Sequence, residues 1–229
     1  MVNLSSPKVV IIDYGMGNLF SVRHACEQAG LRAIITGQKS ELLNADAAIL
    51  PGVGAFGDAM GNLQGMDLVS PIKDFTASGK PFLGICLGMQ LLMTESEEFG
   101  CHKGLGVIGG SVVRFSILNK KNSRTKIPQV GWNQIYMPSN LDETSWDISP
   151  LKGLRNKEFM YFVHSYYVKP DLSETILSLT CYGDIEYCSS IKCKNIFASQ
   201  FHPEKSAEKG IQIYKNWALS IQEQRSRLA

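Results

Sequence analysis

The sequence predicts an α/β fold, a mixed and mainly parallel sheet flanked by helices, with additional antiparallel strands in the second half. Three observations carry that expectation. Continuous apolar runs such as Val9–Ile12 and Ala47–Leu50 are bounded by turn residues, as strands buried on both faces should be. Stretches with helical spacing alternate with them through the first half. Short β-rich runs separated by turns replace that alternation in the second half.

Taken in order, Lys8 to Asp13 reads as the first strand and Leu19 to Ala29 as the first helix, capped at Gly30. Leu31 to Ile35 and Ala47 to Leu50 are the next strands, the latter stopped by Pro51 and Gly52. A helix over Leu68 to Ala77 ends at Gly79, Pro81 to Ile85 returns to strand, and Leu87 to Thr94 has helical character. Gly110 to Ile117, Val130 to Met137, Phe159 to Val168, Ile176 to Tyr182 and Ile196 to Phe201 follow as β-rich runs. Turn-rich segments such as Asn119 to Arg124 and Pro138 to Ser149 separate them. Ser206 is expected to cap a final helix with Ile211, Tyr214, Trp217 and Ile221 on its inner face. No repeat, low-complexity tract or linker interrupts the chain, so residues 1–229 read as one domain.

Composition narrows the function. With 229 residues, 44% hydrophobic and 19% charged, the chain can build a sizeable core. Its 23 basic and 21 acidic side chains give a net charge of +2, no reason to expect nucleic acid or an anionic membrane as partner. The apolar run Val9–Ile12 stops at Asp13, too short for a signal-peptide core or a membrane span, so a soluble cytoplasmic protein is expected. The six cysteines form no CxxC pair and read as reduced thiols, and the four histidines are scattered. Neither a metal nor a cofactor is therefore expected. Gly104 to Gly109 matches GxGxxG but precedes strand-like Ser111–Phe115 instead of a helix, which makes it a turn.

Chemistry concentrates in three segments. Gly84-Ile85-Cys86-Leu87-Gly88 has the form of a nucleophile elbow, a sharp strand-to-helix turn that needs small neighbours. These five residues alone fit a buried cysteine with incidental glycines equally well. Cys86 at a helix N-terminus would be favoured as thiolate, and a thiolate nucleophile needs a base with an orienting group. His202-Pro203-Glu204, at the end of the apolar run Ile196–Phe201, supplies both. Pro51-Gly52-Val53-Gly54 follows another strand end, where glycines let backbone amides approach a developing oxyanion.

With these motifs in order, the chain resembles the class I (triad) glutamine amidotransferases over nearly its whole length. Pro51–Gly54, Gly84–Gln90 and Gln200–Ser206 carry the resemblance. Asp13–Leu19, Gly131-Trp132-Asn133 and Tyr161–Tyr167 narrow it to the glutaminase subunits of imidazole glycerol phosphate synthase. The resemblance implies attack of Cys86 on the side-chain amide of L-glutamine, with His202 as acid and base and Glu204 orienting it. It also implies Gly52, Val53, Gly54 and Leu87 around the oxyanion, and Gly52, Gln90, Glu98, Ser165 and Tyr166 holding substrate. Ammonia would pass to a separate (β/α)₈-barrel cyclase that makes imidazole glycerol phosphate and an aminoimidazole carboxamide ribonucleotide. Asn18, Trp132, Tyr161 and Lys205 would lie near that interface. Gln129 stands where the family usually has histidine, and Asp184–Cys188 and the basic stretch Lys120–Lys126 are also unusual. The alternative reading is a paralogous subunit that feeds ammonia to a related barrel for amidation of a surface sugar. A cysteine hydrolase of peptides or γ-glutamyl compounds would share the elbow but leave the Tyr14–Asn18 and Tyr161–Tyr167 segments unexplained.

Overall fold

The computed structural model describes residues 6–116, 126–142 and 144–228. The turn-rich Asn119–Arg124, the end of the β-rich run at Ile117 and most of the basic stretch Lys120–Lys126 lie outside the described residues.

In the first half, β1 (Lys8–Ile12), β2 (Arg32–Thr36), β3 (Ala47–Leu50) and β4 (Phe82–Ile85) form a parallel sheet in the order β2-β1-β3-β4. Residues Val9 to Ile12 of β1 and all four positions of β3 and of β4 are buried, which is why their apolar runs are unbroken. Helices α1 (Leu19–Gln28), α2 (Lys39–Leu43), α3 (Phe56–Gly65), α4 (Val69–Ala77) and α5 (Leu87–Leu91) connect and cover these strands. α5 is shorter than the Leu87–Thr94 expected from spacing, and α2 and α3 have no counterpart in the sequence reading.

The second half contributes β5 (Glu95–Ser96), β6 (His102–Lys103), β7 (Gly110–Arg114), β8 (Gln129–Ile135), β9 (Glu158–His164), β10 (Tyr166–Pro170), β11 (Ile176–Tyr182), β12 (Ile185–Cys193) and β13 (Ile196–Ser199). Short α6 (Thr144–Asp147) lies inside the segment expected to be turns, and α7 (Ala207–Leu228) is the final helix. β13 joins β4 in parallel, and beyond it β12, β10 and β7 continue the same sheet antiparallel to one another. The single run expected over Phe159–Val168 divides at Ser165, which leaves β9 paired with β8 in a separate ribbon and β10 in the main sheet. Gly104 to Gly109 is an irregular connection that bends at Val107 and Ile108 and leads into strand β7, not into a helix.

Two apolar layers sandwich the sheet. One gathers Val10, Ile12, Phe56, Leu63, Phe75 and Phe82. The other gathers Val9, Ile11, Val22, Trp146, Phe162, Tyr214, Trp217 and Ile221, the last three from the inner face of α7. Fully burying one such side chain contributes about 1.5–3 kcal/mol, so the layers fix how the strand ends line up. Those strand ends hold the site.

Candidate active site

Cys86 occupies the joint between β4 and α5 with φ 54 and ψ −109, a conformation that costs a non-glycine residue about 1–3 kcal/mol. The surroundings enforce it. Its N–H donates to the Ser199 carbonyl of β13 at 2.7 Å. A Cβ on Gly88 would sit 1.8 Å from the Leu50 carbonyl oxygen, so only glycine lets α5 start this close to β3. The strand–turn–helix elbow expected from the sequence is therefore present, and its thiol is buried, with Cys86 6% exposed.

His202 and Glu204 follow β13, which the sheet places beside β4. His202 Nδ1 lies 2.7 Å from Glu204 Oε1, with side chains only 2% and 1% exposed. Burial alone would depress the imidazole, but negative charge on Cys86 and its hydrogen bonding, joined by the Glu204 carboxylate, outweigh it and push His202 up to about 10. Cys86 and His202 are thus electrostatic neighbours. The buried Nε2 nevertheless meets no partner with ordinary hydrogen-bond geometry, Cys86 included. The imidazole thus lies between the Glu204 carboxylate, bonded at Nδ1, and the Cys86 sulfur, its electrostatic neighbour.

Ser206 departs from expectation. Its hydroxyl donates to the His202 carbonyl at 2.7 Å and accepts the Tyr161 N–H at 3.0 Å, so it ties the His202 turn to β9 and does not cap α7 with its side chain. The His202 N–H reinforces the tie by donating to the Tyr161 carbonyl at 2.9 Å.

Pro51–Gly54 lies against the elbow. A Cβ on Gly52 would fall 2.5 Å from the Tyr14 hydroxyl and 2.9 Å from Leu87 Cβ. The Tyr14 hydroxyl donates to the Pro51 carbonyl at 2.8 Å, while Gly54 sits at φ 101 and Val53 is 42% exposed. Among the described residues, the Leu87 N–H at the start of α5 has no hydrogen-bond partner, as the first amide of a helix lacks an intrahelical one.

The remaining implied substrate residues are distributed unevenly. Gln90 is buried, and both hydrogens of its amide are engaged, to the Tyr166 carbonyl at 2.9 Å and to Gln200 Oε1 at 3.1 Å. Glu98 is also buried, with Oε2 accepting the Phe56 N–H at the start of α3 at 2.7 Å. Burial raises its carboxyl pKa despite that bond. Ser165 and Tyr166 lie between and at the start of β9 and β10, close to Gln90. Of the implied interface residues, Trp132 and Tyr161 stack edge to face at 6.2 Å, and Lys205 Nζ lies 5.9 Å from the Tyr161 ring. Asn18 is half-buried at the start of α1, which packs against the Pro203–Lys205 turn.

Sequence reasoning gave no role to a buried network behind the site. His164 Nδ1 lies 2.8 Å from the Tyr166 carbonyl, its Nε2 3.2 Å from the Tyr187 hydroxyl, and that hydroxyl 3.0 Å from Gln129 Oε1. Burial, aided by the nearby His202 charge, drops His164 to about 4 despite the Tyr166 carbonyl, so it is a neutral imidazole. A carbonyl can only accept, which places its proton on Nδ1. Gln129 therefore fills a buried place in this network, not a solvated one. No group of three or more His, Cys, Asp or Glu among the described residues is arranged to hold a metal ion. Among the same residues, no helix is long and apolar enough to cross a membrane.

Comparison with known proteins decides the family. The family model described as Glutamine amidotransferase class-I matches residues 10–221. The chain belongs to that family. As a class I glutamine amidotransferase it is an enzyme, and it is 44% identical to imidazole glycerol phosphate synthase subunit HisH of Rhodopirellula baltica over 93% of this chain and 97% of that one. The HisH of Geobacter metallireducens is likewise 44% identical, over 93% and 98%. That of Aquifex aeolicus is 44% identical over 92% and 95%. Among solved structures, PurLQS from Thermotoga maritima shares the fold with a TM-score of 0.69 at 18% identity, covering 96% of this chain and 99% of that one. A crystal structure of a glutamine amidotransferase superposes with a TM-score of 0.68 at 17% identity, covering 93% and 98%.

Proposed function

We propose that this amidotransferase is the glutaminase subunit of an imidazole glycerol phosphate synthase in histidine biosynthesis. It acts in the cytoplasm as one domain over residues 1–229, hydrolysing L-glutamine to glutamate and ammonia. The ammonia passes to a separate (β/α)₈-barrel cyclase with which it forms a heterodimer. The observation that carries the reading is the buried His202–Glu204 pair at 2.7 Å beside the strained Cys86 elbow.

Cys86 Sγ attacks the side-chain carbonyl carbon of glutamine, and the resulting oxyanion turns toward the Leu87 N–H and an amide of the Gly52–Gly54 loop. The Cys86 N–H is unsuited to that duty because Ser199 already accepts it. Imidazolium His202 gives its proton to the departing nitrogen, the C–N bond breaks to release ammonia, and the glutamyl group stays on Cys86 Sγ as a thioester. Neutral His202 then takes a proton from water, whose oxygen attacks the thioester and expels the Cys86 thiolate with glutamate. Proton transfer of this kind contributes about 10²–10⁴ in rate, and one well-placed oxyanion donor about 10²–10³.

The β8–β9 ribbon supports a docked partner. Val130 and Trp132 of β8 lie opposite Val163 and Tyr161 of β9, and Gln134 lies opposite Phe159, so these residues share one face. Val130, Trp132 and Phe159 are 59%, 53% and 50% exposed, an apolar patch that a barrel subunit would cover. The test is a glutaminase assay with and without a barrel subunit loaded with its phosphorylated ribulosyl ligand. Weak turnover alone and strong stimulation by the loaded partner are expected. Undiminished turnover by Cys86→Ala would overturn the assigned nucleophile.

A further inference from the structure

We propose that Gln200 is a positioning residue for the Cys86 sulfur, held to that task by a buried relay of hydrogen bonds running through Gln90, Tyr166 and His164. The inference deepens the reading of Cys86 as nucleophile. Gln200 is fully buried between β13 and His202, and its backbone N–H donates to the Ser189 carbonyl at 2.9 Å. Its Nε2 donates to Cys86 Sγ at 3.6 Å, an ordinary separation for a contact with the larger sulfur atom.

What distinguishes this contact from incidental packing is that the carboxamide has no freedom to turn. Its Oε1 accepts from Gln90 Nε2 at 3.1 Å, which forces the Nε2 end toward the sulfur. Gln90 is itself fixed, because the same nitrogen donates to the Tyr166 carbonyl at 2.9 Å. That carbonyl also accepts the Nδ1 proton of neutral His164 at 2.8 Å. Each of these bonds joins a donor to an acceptor, so reversing either glutamine amide would set two like groups against each other at a buried site. The N–H therefore points at the sulfur permanently, where it favours negative charge and restrains the side chain near the imidazole. The other titratable groups facing Cys86 are His202, Tyr14 and Tyr187, with Glu204 behind His202. Their ionisation would be shared by wild type and variants alike.

The test measures alkylation of Cys86 by iodoacetamide as a function of pH, mapped to that residue by mass spectrometry, alongside glutaminase kcat and KM. Gln200→Met keeps the volume and removes the N–H. Alkylation below the wild-type midpoint should slow about 10-fold or more, the midpoint should move to higher pH, and kcat should fall by a similar factor with KM nearly unchanged. A folded Gln200→Met with the wild-type alkylation profile and kcat would overturn the proposal, as would a loss confined to KM or to melting temperature. Should Gln200→Met fail to fold, Gln90→Met decides the matter, since it frees Gln200 to turn. A smaller shift in the same direction supports the relay, and an unshifted profile overturns it. Cys86→Ala that kept full glutaminase activity would sink the nucleophile reading separately, because the alkylation profile does not depend on turnover.

Discussion

Replacing Glu204 by glutamine removes a charge from a pair that water does not reach. Glu204 Oε1 and His202 Nδ1 are 2.7 Å apart, with both side chains at most 2% exposed, so the bond is unscreened and charge-assisted. Hydrogen bonds to charged groups are worth about 1.5–3 kcal/mol, which at about 1.4 kcal/mol per pH unit corresponds to a fall of about 1–2 units in the His202 pKa. The direction follows from the forces at work. Burial opposes the imidazolium, the Cys86 charge supports it most strongly and Glu204 next, so without Glu204 the pair survives in weakened form. The alkaline limb of the kcat/KM profile for glutamine should therefore move down by about 1–2 pH units, so the loss of kcat/KM should reach about 10- to 100-fold on the alkaline side of the profile and stay small at neutral pH. Cys86→Ala and His202→Ala should be far more severe, because the proposed mechanism has those groups react and Glu204 only orient. Steady-state glutaminase assays across pH, with the partner present, read both quantities. A Glu204→Gln enzyme with an unmoved alkaline limb and wild-type kcat/KM would refute the orienting role.

Three further outcomes follow from the same geometry. His164 titrates at about 4 in the folded protein against about 6.5 when exposed, so the unfolded chain binds more protons between those values. Stability of about 3 kcal/mol should be complete above pH 6.5 and drain away as pH falls toward 4, a slope that urea melts should detect and that His164→Gln should flatten. Gly88→Ala forces a methyl to 1.8 Å from the Leu50 carbonyl oxygen, so it should destabilise by at least about 1–3 kcal/mol and abolish glutaminase activity, measured by melting and turnover. Trp132→Ala, at a half-exposed ribbon position whose ring stacks on the Tyr161 ring and touches none of Cys86, His202 and Glu204, should leave basal turnover intact. It should weaken partner binding about 30-fold by calorimetry, the loss of about 2 kcal/mol characteristic of a buried aromatic anchor.

Much of the architecture was readable where one physical effect dominates. Strands β3 and β4, and β1 from Val9 onward, carry no polar side chain because both faces are covered, and the elbow and the His202–Glu204 turn are local enough to show in a few residues. Helix α3 was not readable, since Gly57, Gly61 and Gly65 lower its propensity, and it forms because Phe56, Ala59, Met60 and Leu63 are buried and Glu98 holds its first amide. Strand β12 hid behind Ser189 and Ser190, whose buried hydroxyls meet Ser178 from β11 at 2.9 and 2.5 Å. The relay through Gln200, Gln90 and His164 joins residues far apart in the chain, and no local pattern announces such a partnership. Ser206 misled for the opposite reason. It occupies a favourable capping position, but the backbone of β9 and His202 claims its hydroxyl.

The adjacency of β4 and β13 has a consequence for how this enzyme tolerates change. Ser199 pairs with Ile85 in parallel register, and Cys86 and His202 follow within three residues of that rung. The spacing between sulfur and imidazole is thereby a property of the hydrogen-bond ladder and not of the hundred-odd residues connecting the two strands. Exposed loops within that connection can lengthen or shrink without moving either side chain, whereas the Pro138–Ser149 segment is pinned by α6 and the buried Trp146. A single residue inserted into either four-residue strand would shift that ladder by one rung and exchange which of its side chains face each apolar layer.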